Sequence, residues 1–111
     1  MKLWNHYHTP QSIDQALTLL SEYQGKAKVV AGGTDLIVEL REGHQVLQEA
    51  LIDITMIPEL TPLAATDNQI YIGAGVTHSQ ITKSPILATR ATCLVESCGV
   101  VGGPQVRNVG T

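Results

Sequence analysis

Two short apolar runs, Lys28-Val29-Val30-Ala31 and Ala50-Leu51-Ile52-Asp53-Ile54, constrain the fold more than any other feature. Successive apolar positions there leave no polar face to turn toward water. Strands of parallel sheets, covered on both sides, read this way. A helix from about Leu36 to Glu42 fits between them, capped by Thr34 or Asp35 and ended by Gly43. Another helix precedes them. Ser12-Ile13-Asp14-Gln15 has the spacing of a capping box, and Ile13, Ala16, Leu17, Leu20 and Tyr23 recur at helical intervals until Gly25. A helix–strand–helix–strand unit of this kind predicts a small parallel sheet.

The pattern changes after Pro58-Glu59-Leu60-Thr61-Pro62. Leu63 to Ala65 and Ile70 to Gly73 flank the polar turn Thr66-Asp67-Asn68-Gln69, which predicts an antiparallel hairpin. Thr77-His78-Ser79-Gln80 is a second capping box, opening a short helix through Ile81. Ser84-Pro85 starts one further helix, with Leu87, Ala91, Leu94, Val95 and Cys98 as its apolar face and Gly99 as its stop. The tail from Val100 to Thr111 is glycine-rich and reads as irregular. The whole is an α+β chain.

Charge and composition exclude several functions. Lys and Arg total 7 against 10 Asp and Glu, a net charge of -3. There is no basic stripe to displace counterions from nucleic acid, so none is expected as a partner. The N-terminus lacks the apolar core of a secretory signal, and no run approaches the ~20 residues of a membrane span. With two cysteines, Cys93 and Cys98, no disulfide framework is expected; both read as small core thiols in a reducing cytoplasm. His6, His8, His44 and His78 read as solvated or cap-adjacent, with no metal site. Asp53 reads as a turn partner, and Arg107 as either a loop contact or a pair for a carboxylate or phosphate.

The chemistry concentrates in Val29-Val30-Ala31-Gly32-Gly33-Thr34-Asp35-Leu36, where a strand feeds a Gly-Gly turn and then a helix. Amides at a helix start lack intrahelical partners, and glycine lets an anion approach the backbone closely. Such a segment can hold a diphosphate without any Lys or Arg. It can equally be a tight turn with a capping residue, since it matches neither G-x-G-x-x-G nor a P-loop.

Three ordered segments together carry a resemblance. They are Ala31-Gly32-Gly33-Thr34-Asp35-Leu36, Ile72-Gly73-Ala74-Gly75-Val76-Thr77, and Gly103-Pro104-Gln105-Val106-Arg107-Asn108-Val109-Gly110-Thr111. From about Tyr7 to Thr111 the chain resembles the FAD-binding, medium subunits of the xanthine dehydrogenase and carbon monoxide dehydrogenase family of molybdenum hydroxylases. The resemblance implies the two-lobed FAD-binding fold of the vanillyl-alcohol oxidase and cell-wall reductase type. Residues 1–57 would be its small α/β lobe, and residues 58–111 the beginning of a larger α+β lobe, with the dinucleotide between them.

The resemblance also implies site residues. Amides of Val30, Ala31, Gly32, Gly33, Thr34 and Asp35 would hold the FAD pyrophosphate, with the Thr34 hydroxyl as a further donor. Val101 would fall near the adenine, and Gly110 and Thr111 would open a second flavin-binding loop. In the family that loop continues Thr-x-Gly-Gly-Asn, whereas this sequence stops at Thr111. The chain alone is therefore expected to hold FAD weakly or not at all. No catalytic side chain is assigned, because the flavin carries the redox chemistry. The implied role is that of an FAD-dependent oxidoreductase subunit. It would take electrons from [2Fe-2S] clusters in a small partner subunit, after oxidation of substrate at molybdopterin in a large one, and pass them to NAD or another acceptor. Two alternatives stand beside it: a truncated non-catalytic remnant that no longer holds FAD, and a stand-alone nucleotide-binding module.

Overall fold

The computed structural model describes residues 2–43 and 47–111. The chain divides into two compact units, residues 1–59 and 60–111. In the first, strands β1 (Trp4–His8), β2 (Ala27–Val30) and β3 (Gln48–Asp53) form a parallel sheet in the order β1-β3-β2. Helices α1 (Ile13–Tyr23) and α2 (Leu36–Arg41) lie in the connections.

The central strand explains the apolar run at Ala50: Ala50, Leu51 and Ile52 are wholly buried. Its two faces are told apart by register. His8 pairs with Ile52, and its Nε2 lies 2.8 Å from the Tyr23 hydroxyl, so α1 covers that face. Tyr7 pairs with Leu51, and its hydroxyl donates to Asp53 two residues on, which marks the opposite face. Leu51 is buried there too, so β3 is covered on both sides.

Two expectations fail at the sheet's edges. β1 is an additional strand: Trp4-Asn5-His6-Tyr7-His8 shows no apolar alternation because its middle three residues are exposed. β2 is not buried on both faces. It is an edge strand in which Lys28 and Val29 are exposed and only Val30 is buried, and its ladder ends at Val30 rather than Ala31. An edge position leaves one flank of each side chain without a neighbour.

Helix α1 starts as its sequence indicates, with the Ser12 hydroxyl accepting from the Gln15 amide at 3.1 Å. The Gln15 side chain accepts from the Gln11 amide instead of Ser12, a displaced form of the capping box. The helix stops where Gln24 and Gly25 take left-handed conformations, φ 49° and 86°. Ala16 is its buried residue, while Ile13 and Leu17 of the expected apolar face are exposed.

The second unit begins with the hairpin of β4 (Leu63–Ala65) and β5 (Ile70–Ile72), closed where the Thr66 amide donates to the Gln69 carbonyl at 2.8 Å. Four short helices follow: α3 (His78–Thr82), α4 (Pro85–Arg90), α5 (Thr92–Cys98) and α6 (Pro104–Val109). Val76, Ile81, Leu87 and Cys98 form the core, with Leu63, Ile70, Ile72, Ala91 and Val95 packed against it. The Thr77–Gln80 capping box is complete in both directions.

The single helix expected from Pro85 to Cys98 is two helices. The break is at Ala91, φ -142° and ψ 52°. There the Thr92 hydroxyl donates to the Ala88 carbonyl at 2.8 Å, taking the acceptor that a continuous helix would give to the Thr92 amide. The break leaves Leu94 exposed, and Cys93 is exposed as well, so only Cys98 is a core thiol. The tail, expected to be irregular, winds into α6 with Pro104 in its first turn, where a missing amide costs nothing. Among the described residues, no helix is long and apolar enough to cross a membrane.

Candidate dinucleotide site

At its carboxyl end, β2 opens directly into the glycine turn. Val30 pairs with Asp53, and its carbonyl accepts from the Ile54 amide at 3.0 Å. Beyond it the chain leaves the ladder. Ala31, Gly32, Gly33 and Thr34 are half-buried and Asp35 is exposed. Gly33 has φ +72°, and a Cβ there would also press within 3.3 Å of Val30 Cγ2. This position requires glycine for its conformation.

The carbonyls of the turn are used: the Ile37 amide donates to Gly33 at 3.1 Å and the Glu39 amide to Asp35 at 2.9 Å. Its amides are not. Among the described residues, the amides of Ala31, Gly32, Gly33, Thr34 and Asp35 donate to no protein acceptor. The expected side-chain cap is absent: Asp35 occupies the cap position in helical conformation, and its carboxylate makes no capping bond. Had either Thr34 or Asp35 capped α2, one of these donors would be occupied.

Asp53 is the carboxylate nearest this turn in register, and it is engaged elsewhere. Its Oδ1 accepts from the Thr55 amide at 2.8 Å and hydroxyl at 2.6 Å, and its Oδ2 from Tyr7 at 2.6 Å. Burial pushes its pKa up, but the bonds from Thr55 and Tyr7 outweigh that and hold it below the ordinary carboxylate value. Burial, and then donation to Asp53, push Tyr7 up to about 12. Asp53 is thus the turn partner its position suggested.

A wide cleft of about 610 Å³, lined by Lys2, Trp4, Lys26 and Glu49 among others, lies at the opposite, amino end of the strands. Open parallel sheets bind ligands beyond their carboxyl ends, where the loops after successive strands diverge. The glycine turn has that placement and the cleft does not.

In the second unit, Val101 and Thr111 are exposed and Gly110 is buried. Arg107 Nη1 donates to the Val101 and Gly102 carbonyls at 3.3 and 3.1 Å, closing the loop onto α6. Arg107 is the loop contact, not a carboxylate partner. The Gly110 amide donates to Val106 at 2.7 Å, and the Gly110 carbonyl accepts from both the His78 amide at 3.0 Å and His78 Nδ1 at 2.8 Å. Ser79 Oγ donates to Asn108 Oδ1 at 2.6 Å beside it. His78 is the functional candidate that the sequence does not reveal, because its partner lies 32 positions away. His6 is exposed, His8 is bonded to Tyr23, and His44 lies outside the described residues. No group of three or more His, Cys, Asp or Glu is placed to hold a metal among the described residues.

The middle segment of the three, Ile72 to Thr77, has a packing role. Gly73 donates to the Pro62 carbonyl at 2.8 Å and Gly75 to the Leu60 carbonyl at 2.7 Å. A Cβ on Gly73 would lie 2.2 Å from the Leu60 oxygen, closer than any real contact.

With this geometry in place, comparison with known proteins becomes specific. The family model for the FAD binding domain in molybdopterin dehydrogenase matches residues 2–111. The chain belongs to that family. This FAD binding domain is 37% identical over 107 residues to the carbon monoxide dehydrogenase medium chain of Hydrogenophaga pseudoflava, covering 95% of this chain and 36% of that one. It is 33% identical to the nicotinate dehydrogenase FAD-subunit of Eubacterium barkeri, with the same coverage of both chains, 95% and 36%. Among solved structures it superposes on carbon monoxide dehydrogenase from Hydrogenophaga pseudoflava with a TM-score of 0.91 at 36% identity, covering 96% of this chain and 37% of that one. For quinoline 2-oxidoreductase from Pseudomonas putida 86 the TM-score is 0.88 at 27% identity, covering 96% of this chain and 36% of that one. The domain thus spans a little over a third of the relatives it matches, 36% of the first.

Proposed function

We propose that this domain binds FAD in a molybdopterin-dependent dehydrogenase, and that the turn from Ala31 to Asp35 grips the FAD pyrophosphate. The observation that carries the reading is the set of amides between Ala31 and Asp35 that have no protein acceptor among the described residues. Buried or half-buried amides ordinarily find partners, and a run without them calls for an outside acceptor. A diphosphate suits it: bonds from amides to a charged oxygen contribute about 1.5–3 kcal/mol each. Gly33 keeps side-chain carbon out of the approach. Thr34 adds a hydroxyl to the same turn. In the same reading Val30 closes the turn against β3, Val101 lies by the adenine, and Gly110 and Thr111 contact the flavin nucleotide.

The architecture follows as part of the proposal: residues 1–57 as the small lobe of the vanillyl-alcohol oxidase type of FAD-binding fold, and residues from 58 as the start of its larger lobe. Bound FAD would supply the redox chemistry, accepting electrons and delivering them to NAD or another acceptor. The chain's own part is to hold the dinucleotide through main-chain donors. The partners proposed are a [2Fe-2S] small subunit and a molybdopterin-binding large subunit, in the cytoplasm.

The test is an ¹⁵N–¹H titration of the chain, which reads weak binding as well as tight. FAD and ADP, which carry the diphosphate, are expected to shift the amides of residues 31–35, with FAD the tighter; riboflavin, which lacks it, is not. Shifts confined to other residues would overturn the pyrophosphate assignment. ADP binding as tightly as FAD would favour a general nucleotide module, and no response at millimolar FAD would favour a chain that no longer holds the cofactor.

A further inference from the structure

We infer that His78 is a positioning residue that aims the Thr111 amide as a hydrogen-bond donor for the flavin nucleotide. The inference rests on the proposed FAD reading but on different atoms. The Gly110 carbonyl oxygen receives two hydrogen bonds from one residue, the His78 amide at 3.0 Å and His78 Nδ1 at 2.8 Å. A carbonyl accepts, so Nδ1 carries the proton. Two donors from one rigid helix start fix that oxygen in two directions. The carbonyl of Gly110 and the N–H of Thr111 belong to one planar trans peptide, in which they point opposite ways. Anchoring the oxygen toward α3 therefore turns the Thr111 N–H away from α3. That amide donates to no protein acceptor among the described residues. Loading both lone pairs of the carbonyl also polarises the peptide and strengthens its N–H as a donor.

The anchor is itself braced. The Thr77–Gln80 capping box sets the first turn of α3, Ser79 holds Asn108, and the Gly110 amide is bound to Val106. Gly110 has room for nothing more: a Cβ would meet the Val106 carbonyl at 3.0 Å and His78 Nδ1 at 3.3 Å. Its φ of -66° is open to any residue, so glycine is required there for space, to let the imidazole reach the carbonyl. His78 touches no cofactor in this account. It acts through the peptide it orients.

The experiment compares the wild-type chain with His78→Leu, His78→Asn and Gly110→Ala in the same ¹⁵N–¹H titration with FAD. In the wild type, FAD is expected to shift both Thr111 and Gly33. His78→Leu should reduce the Thr111 response at least fivefold while that of Gly33 remains. His78→Asn, whose amide nitrogen can stand near the place of Nδ1, should restore it. A purely structural role for His78 would move both responses together or neither. Gly110→Ala disturbs the same peptide from the other end and should mimic His78→Leu, which keeps the test alive if the leucine variant fails to fold. An unchanged Thr111 response in either variant overturns the inference. So does a wild-type response at Gly33 without one at Thr111, and in that case the FAD reading itself survives. Silence at both residues in the wild type overturns the reading and the inference together.

Discussion

The glycines of the two units look alike in the sequence and do opposite things in the structure. In the first unit, Gly33 lies at φ +72° in a turn whose carbonyls are bonded and whose amides are left open. In the second, Gly73, Gly75 and Gly110 hold ordinary backbone angles, and their amides are bonded to Pro62, Leu60 and Val106. The first is glycine used for conformation, leaving donors for something outside the protein. The second is glycine used for space, so that backbone can pack on backbone or a histidine can reach a carbonyl. Glycine-rich segments therefore say little about ligands until their donors are traced to acceptors.

The largest expected effect tests the spatial role. Gly73→Ala puts a Cβ 2.2 Å from the Leu60 carbonyl oxygen, which is main chain and cannot swing aside. The chain from Leu60 to Pro62 has to move, and we expect a loss of about 3 kcal/mol in a urea melt. A loss below about 1 kcal/mol would show that the close approach is slack, and the contrast between the units would weaken.

Gly33→Ala comes next, and it separates conformation from space. A left-handed alanine costs about 1–2 kcal/mol, with added crowding against Val30 Cγ2 at 3.3 Å. Asparagine visits this region more readily, so Gly33→Asn should be the milder change. At Gly73 the order should not reverse in this way, because asparagine brings more atoms to the Leu60 oxygen. If alanine and asparagine ranked the same at both sites, the two glycines would share one role after all.

What was legible in the sequence follows the same division between local and distant causes. Ser12, Thr77 and the Thr66–Gln69 turn act within four residues, and their hydrogen bonds are where the spacing puts them. The buried centre of β3 was legible because a central strand has apolar residues on both faces. β1 was not, since an edge strand with exposed middle residues carries no pattern. The break at Ala91 depends on a threonine hydroxyl choosing a helix carbonyl over solvent, a choice that periodicity does not record. In the candidate site, Gly32 and Gly33 announced a turn, but the sequence suggested a side-chain cap that does not form. The His78–Gly110 pair needed the fold to bring together residues 32 positions apart.

The smallest effect concerns why the open amides stay open. Asp53 ends β3 in register with Val30, at the start of the turn, yet its oxygens are held by Thr55 and Tyr7. Tyr7→Phe removes one of those donors while keeping the ring. Tyr7 is half exposed, so after discounting for solvent the loss should be about 0.5 kcal/mol at neutral pH. Its pH dependence has a definite sign. Asp53 titrates below its unfolded value, so the stability it contributes is present above about pH 4 and is lost as pH falls through its folded pKa. Tyr7, raised to about 12, contributes stability that is present below about pH 10 and lost as pH rises toward 12. The gap between wild type and Tyr7→Phe should therefore be flat from about pH 5 to 9 and close at both ends. In the variant Asp53 should titrate at higher pH, readable from its carboxyl ¹³C shift. A gap that widened in acid would mean that Tyr7 does not hold the carboxylate. Asp53 would then be free to turn toward the amides of residues 31–35 and compete with a diphosphate, and the distinction between a bonded glycine unit and an open one would lose its clearest support.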